Sequence, residues 1–328
     1  MDWGEILLDA CLAAVGPVAA AYALAAIGLN LQFGYTGLLN FGHVAFMLVG
    51  AYGSAITVDK GGPLWLGVLV GIGAALLLGL LLGFPTLRLR ADYLAIVTIA
   101  SGEILRLVAR SSFADPLTRS VFGIQQFAGD FYAINPLPDG LYGIGKFRFD
   151  ERVMWVLLVG WGLVGLATLF MWKLTRSPWG RVLRAVREDE DAARALGKNV
   201  FRYKLQSLMV GGAVGALAGI LLAVNQQNVA PDDFLPLLTF YTFTIVILGG
   251  PGTLSGPIVG SILFWFLFGF LDGLMTGAVN QGWFGSAISK TDSGPIRFAL
   301  LGVGLMLLMA FRPQGLFGKR EELLVDER

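Results

Sequence analysis

Long apolar runs, separated by short polar or glycine-rich interruptions, fill most of the chain. A helix rising 1.5 Å per residue needs about 20 mostly apolar residues to cross a bilayer's hydrocarbon core. Runs of that kind fall at 6–29, 36–57, 64–84, 92–110, 153–172, 205–224, 237–250, 256–275 and 296–311. The pattern predicts an all-α fold: a polytopic transmembrane helical bundle of about 8–10 membrane segments, one domain over 1–328. The second run is rich in glycine and the seventh is short, so either can be re-entrant or broken. Irregular backbone at membrane depth is tolerated only where protein or a water-filled cavity surrounds it. Those two runs are therefore where a pathway is expected. Met1–Glu5 lacks the basic region of a signal peptide and reads as the start of a retained span.

Two polar stretches interrupt the apolar pattern. Residues 173–204 hold nine basic residues, from Lys173 to Lys204, against Glu188, Asp189, Glu190 and Asp191. Lys and Arg accumulate on the cytoplasmic side, which places this segment inside. Parity then places the connection with Arg88 and Arg90 and the tail with Arg312, Lys319 and Arg320 inside as well. The N-terminus and the long loop 111–152 fall outside, and that loop carries no basic excess. Glycines recur at four-residue spacing at Gly67 and Gly71, Gly79 and Gly83, Gly211, Gly215 and Gly219, and Gly252, Gly256 and Gly260. Such stripes let helix backbones approach closely in lipid.

Composition agrees with the pattern. The 328 residues are 55% hydrophobic and 14% charged, with a mean hydropathy of +0.70, whereas soluble domains are about 25% charged. A net charge of +1 gives nucleic acid no basic field to bind. Cys11 and His43 are the sole cysteine and histidine, which excludes an intramolecular disulfide and a structural zinc cluster.

Polar groups inside spans are costly and mark candidate sites. Asn30, Gln32, Asn40 and His43 gather around the first bend, and Asn40, Gly42 and His43 are the candidate pathway residues. His43 reads either as a hydrogen-bonded packing residue or as a solute contact. Asp92, Glu103 and Arg106 lie on the fourth run, with Glu103 and Arg106 spaced to pair. Asn225–Asn228 close the sixth. The string Gly249–Pro257 suggests a phosphate loop but lacks the Gly-Lys-Ser/Thr ending such a loop requires. Within the inside stretch, Ser177 and Pro178 predict a capped helix start. The helix running to Gly197 has a thin apolar face of Val182, Leu183, Val186, Ala193 and Leu196. With no cytoplasmic domain to cover that face, a docking partner is expected, or else the membrane surface.

Several motifs resemble those of the branched-chain amino acid ABC transporter permeases of the LivM and LivH type. They are Asn30–Phe46 with Gly50–Tyr52, Ala95–Arg106, Ser177–Arg181 leading to Arg187, Gly249–Gly260 and Arg312–Phe317. Their shared order covers nearly the whole chain, and the long outer loop favours the LivM type. The resemblance implies a coupling pattern like Glu-Ala-Ala-x-x-x-Gly, matched here by Asp191, Ala192, Ala193 and Gly197 with Asp for Glu. It implies a second permease subunit of LivH type, two ATPase subunits that bind ATP and magnesium, and an extracytoplasmic solute-binding protein. No cofactor is expected on this chain itself, and the setting implied is the bacterial inner membrane, in contact with lipid. Thr118–Gly123 departs from the Thr-Gly-Gly-x-x-Gly string of many members, which leaves urea or short amides as alternative solutes. The rival classes are a passive channel, which needs no docking helix, and a membrane enzyme, which needs an acid–base or metal constellation.

Overall fold

The computed structural model describes residues 3–87, 91–281, 293–311 and 315–317. Arg88, Arg90, Arg312, Lys319 and Arg320, used above for orientation, lie outside the described residues. The chain forms α1 (Trp3–Val15), α2 (Pro17–Asn30), α3 (His43–Asp59), α4 (Leu64–Thr86) and α5 (Ala91–Arg110). The long loop 111–150 follows, with the short helices α6 (Asp115–Thr118) and α7 (Gly129–Ala133). Then come α8 (Glu151–Arg176), α9 (Pro178–Glu188), α10 (Glu190–Ala195), α11 (Val200–Gln226), α12 (Leu237–Gly249), α13 (Gly256–Asn280) and α14 (Ser293–Phe311). Among the described residues six stretches are long and apolar enough to cross a membrane alone, and each of the nine expected runs is helical over most of its length. The chain is an all-helical polytopic membrane protein.

Three expectations change in detail. The run 6–29 forms two consecutive helices, because Gly16 is extended (φ −63°, ψ 171°) and Pro17 opens α2. Proline lacks the N–H that would continue the preceding helix. The pieces follow α13 in succession, with Gly273 and Gly269 meeting Ile6 and Ala10, and the Ser261 hydroxyl donating to the Ala19 carbonyl at 2.7 Å. The run 36–57 becomes helical only at His43. Before it, α2 ends in a π turn (Leu31–Tyr35) and residues 36–42 are unwound. Two small two-stranded sheets also form: β1 (Ile124–Gln125) of the long loop pairs with β4 (Asn228–Val229) after α11, and β2 (Leu141–Ile144) pairs with β3 (Phe147–Asp150), both antiparallel.

Helix α2 is the centre of the bundle. From Ala19 to Ala26 every residue except Tyr22 is 0% exposed, as befits a helix apolar all round. Small residues let α11 close on it. A methyl added at Gly28 would lie 2.4 Å from the Gly211 carbonyl oxygen, and one at Gly211 would lie 2.5 Å from that of Gly28. Gly71 meets Gly50 of α3 in the same way, so the glycine stripes serve helix packing. Leu69, Leu77 and Leu81 of α4 and Leu166 and Leu169 of α8 stay exposed, presenting apolar surface to lipid.

Candidate functional site

The helix break between α2 and α3 leaves backbone groups that no water at membrane depth satisfies. Side chains from four helices take them up. Gln32 donates to the Leu208 carbonyl at 3.0 Å and accepts from Asn40 at 2.9 Å, while the other amide atom of Asn40 accepts from the Gly42 N–H at 3.1 Å. Thr98 of α5 accepts from the Phe41 N–H at 3.2 Å, and Thr239 of α12 accepts from the Val44 N–H at 2.9 Å. The Thr36 and Ser207 hydroxyls lie 2.7 Å apart and both within reach of the Leu31 carbonyl, so one donates to that carbonyl and the other across the pair. Thr98, Thr239 and Ser207 escaped the sequence reading. Each stands near other polar side chains, Thr98 near Ser101, Ser207 beside Gln206 and Thr239 near Tyr241 and Thr242, so the sequence did not single it out.

Asn40, Gly42 and His43 are thus brought together in one buried cluster, with Asn40 and His43 at 1% and 0% exposure. The imidazole sits in a niche left by glycine: a methyl at Gly215 would come within 2.7 Å of Nε2 and one at Gly28 within 3.3 Å of Cε1. Neither ring nitrogen makes a hydrogen bond of normal geometry, although the ring approaches the Ala25 carbonyl. Phe41, only partly buried, stacks on Phe243 at 4.5 Å and lies 5.8 Å from Phe240, which is 46% exposed. This aromatic surface is the exposed side of the break, and sequence spacing gave no hint of it.

The other interrupted element is the basic stretch 173–204. Ser177 accepts from the Gly180 N–H and Pro178 opens α9, as expected. The single helix expected to Gly197 is instead two, because Asp189 turns extended (φ −154°, ψ 110°) and its carboxylate accepts from the N–H groups of Asp191 and Ala192 at 2.8 and 3.0 Å. Aspartate is a strong helix N-cap. At Gly197 the backbone is left-handed (φ +74°), with the Gly197 N–H bonded to the Arg194 carbonyl and the Lys198 N–H to that of Ala193, which makes a Schellman ending.

Most of the apolar face of this stretch is covered by the chain itself, and Leu196 is the part left open. Val186, Ala193 and Val200 form a cluster against Val182, and Leu183 enters the main core. Ala193, at 2% exposure, supports the segment from beneath, whereas Asp191, Ala192, Gly197 and Leu196 (77% exposed) form its open surface. A second link was missed: the Arg187 guanidinium donates to the Gly34 carbonyl at the end of the π turn. Such a charge-assisted bond contributes about 1.5–3 kcal/mol, and a cation there also meets the negative end of the helix.

Elsewhere, Arg106 pairs with Glu103 at 2.6 Å, as its spacing predicts, and also with Asp232 at 2.7 Å. Gly249–Pro257 forms the turn from α12 to α13. It is clamped by Asn30, which donates to the Thr253 carbonyl and accepts from the Gly252 N–H. Leu316 and Phe317 add their N–H groups to the carbonyls of Leu248 and Gly249. Among the described residues no three His, Cys, Asp or Glu side chains converge.

Helices broken within the membrane bundle, small-residue packing around a central helix and an exposed capped segment at one end define a multi-pass permease architecture. Residues 12–310 match the family model described as the branched-chain amino acid transport system / permease component, and the chain belongs to that family. It is 32% identical over 310 residues to the high-affinity branched-chain amino acid transport system permease protein LivM of Escherichia coli K12, covering 90% of this chain and 67% of that protein. The probable LivM permease of Methanocaldococcus jannaschii is 29% identical over 74% of this chain and 76% of its own length. The LivH permease of Escherichia coli K12 is 25% identical over 92% of each chain.

Proposed function

We propose that this chain is the LivM-type membrane subunit of an ATP-driven importer that carries branched-chain amino acids across the bacterial inner membrane by alternating access. The observation that carries the reading is the similarity to LivM along 90% of the chain, which includes both interrupted elements. In this reading a LivH-type permease is the membrane partner, two ATPase subunits bind ATP and magnesium, and an extracytoplasmic binding protein delivers the solute. The open surface of Asp191, Ala192, Leu196 and Gly197 receives an ATPase, with Ala193 holding that surface in shape. Unwound residues 36–42 line the pathway, Asn40 and Gly42 within it and His43 anchoring it between α2 and α11. Phe41, Phe240 and Phe243 offer apolar surface suited to an aliphatic side chain.

The test is reconstitution of the assembled complex in liposomes with its binding protein, followed by uptake of labelled leucine and labelled urea. ATP-dependent leucine uptake without urea uptake is the expected result. Urea uptake alone sinks the amino acid reading, and equilibration without ATP sinks the importer reading.

A further inference from the structure

We propose that Arg187 is the positioning residue through which the docking segment moves the pathway, an inference that rests on the function proposed above. Arg187 lies in the last turn of α9, just before the break at Asp189 that begins α10. Its guanidinium reaches across 153 positions of sequence to the Gly34 carbonyl, where α2 gives way to the unwound stretch. A helix end leaves carbonyls without intrahelical donors, and arginine supplies a charged, planar donor set with long reach.

Three further observations converge on the same point. A methyl at Gly252 would lie 2.9 Å from Nη1 of Arg187 and 3.0 Å from the Gly34 oxygen, so the turn between α12 and α13 touches the contact as well. Asn30 fastens that turn to α2 through Thr253 and Gly252. Arg184, one turn earlier on α9, lies over the Tyr35 ring with its guanidinium carbon 5.5 Å from the centroid. One end of α9 therefore holds the beginnings of both irregular membrane elements.

The contact is placed to transmit movement. Gly37 and Gly252 flank it in left-handed conformations (φ +73° and +75°), which glycine adopts without steric cost and which let the chain turn there. Val186 and Ala193 pack α9 against α10, so a displacement of the docking surface carries Arg187 with it. Among the described residues Arg187 forms no ion pair, whereas Arg194 is held by Glu190 and Asp191. Its link is to the membrane path rather than to its own segment.

The experiment uses the whole reconstituted importer and measures solute transported per ATP hydrolysed. Arg187→Ala is expected to lower that ratio at least 10-fold, while ATPase subunits still co-purify and basal hydrolysis persists. Arg187→Lys, which keeps charge and donors, is expected to retain at least a third of it. A Phe41→Cys probe in a Cys11→Ser background is expected to change thiol reactivity with nucleotide state, and to lose that change when Arg187→Ala is added. An unchanged ratio, including a parallel fall in uptake and hydrolysis, overturns the proposal, because a structural end cap predicts it. Failure of Arg187→Ala to assemble assigns the residue to the fold and overturns it equally. Absence of any ATPase on the unmutated chain would instead sink the importer reading, and is read separately.

Discussion

Both interruptions that matter in this chain end one helix and begin another, yet they are built by opposite means. Across residues 41–44 the freed N–H groups are met by the side chains of Asn40, Thr98 and Thr239, from the break itself, α5 and α12, with Gln32 of the π turn holding Asn40 in place. At Asp189 the freed N–H groups are met by the carboxylate of that same residue. The membrane break is buried, with Asn40 at 1% exposure, whereas α10 is mostly open to solvent. Where water is absent, a break needs partners from distant sequence. Where water is present, one local cap suffices.

That contrast breaks first at Gln32. Gln32→Leu leaves Asn40 and the Leu208 carbonyl without their partner in a buried site. A loss of about 2–4 kcal/mol is expected from leaving such groups unsatisfied, read as a lower melting temperature of the purified permease in detergent. An unchanged melting temperature would mean that the break does not depend on distant partners. Gly197→Trp probes the open segment instead. It should weaken ATPase binding by about 2 kcal/mol, of the order of an interface hot spot and roughly 30-fold in affinity. A methyl at Gly197 meets nothing within 4 Å, and the left-handed strain of about 1 kcal/mol that a side chain adds there stays within the exposed segment, so the membrane bundle should melt as before. Normal binding would move the docking surface elsewhere.

Smaller effects sharpen the comparison. Thr98→Val removes the acceptor for the Phe41 N–H, and about 1–2 kcal/mol of stability should go with it if no water replaces the bond. Asp189→Ala should cost about 1 kcal/mol, the usual loss of an N-cap. Hydrogen exchange should localise that loss to 189–197, with α2 and α3 unaffected. Spread of the exchange change into 36–42 would show that the two interruptions are energetically one unit.

Local chemistry was legible where a residue and its partner lie within one turn. Ser177 and Pro178 announced the start of α9, Gly197 announced the end of α10, and Glu103 announced its pairing with Arg106. Asp189 carried a cap signal as well, but the apolar face running from Val182 to Leu196 masked it by suggesting one continuous helix. Most of that face is covered from within the chain and Leu196 stays open, because amphipathic spacing shows that a face must be covered without showing by what. The irregularity of 36–57 was visible in its glycines, while the place where helix resumes, at His43, was not.

The sequence by itself determined the apolar runs and the local caps, since hydrocarbon thickness and helix ends act on neighbours along the chain. Only the tertiary structure decided that Thr239 would bind the Val44 N–H, that Gln32 would reach Leu208 and that Arg187 would reach Gly34. These partners lie 195, 176 and 153 positions apart. At Gly28 and Gly211, whose missing side chains let α2 and α11 close to backbone contact, the packing decides which groups fall within hydrogen-bond reach, and at membrane depth no water offers an alternative.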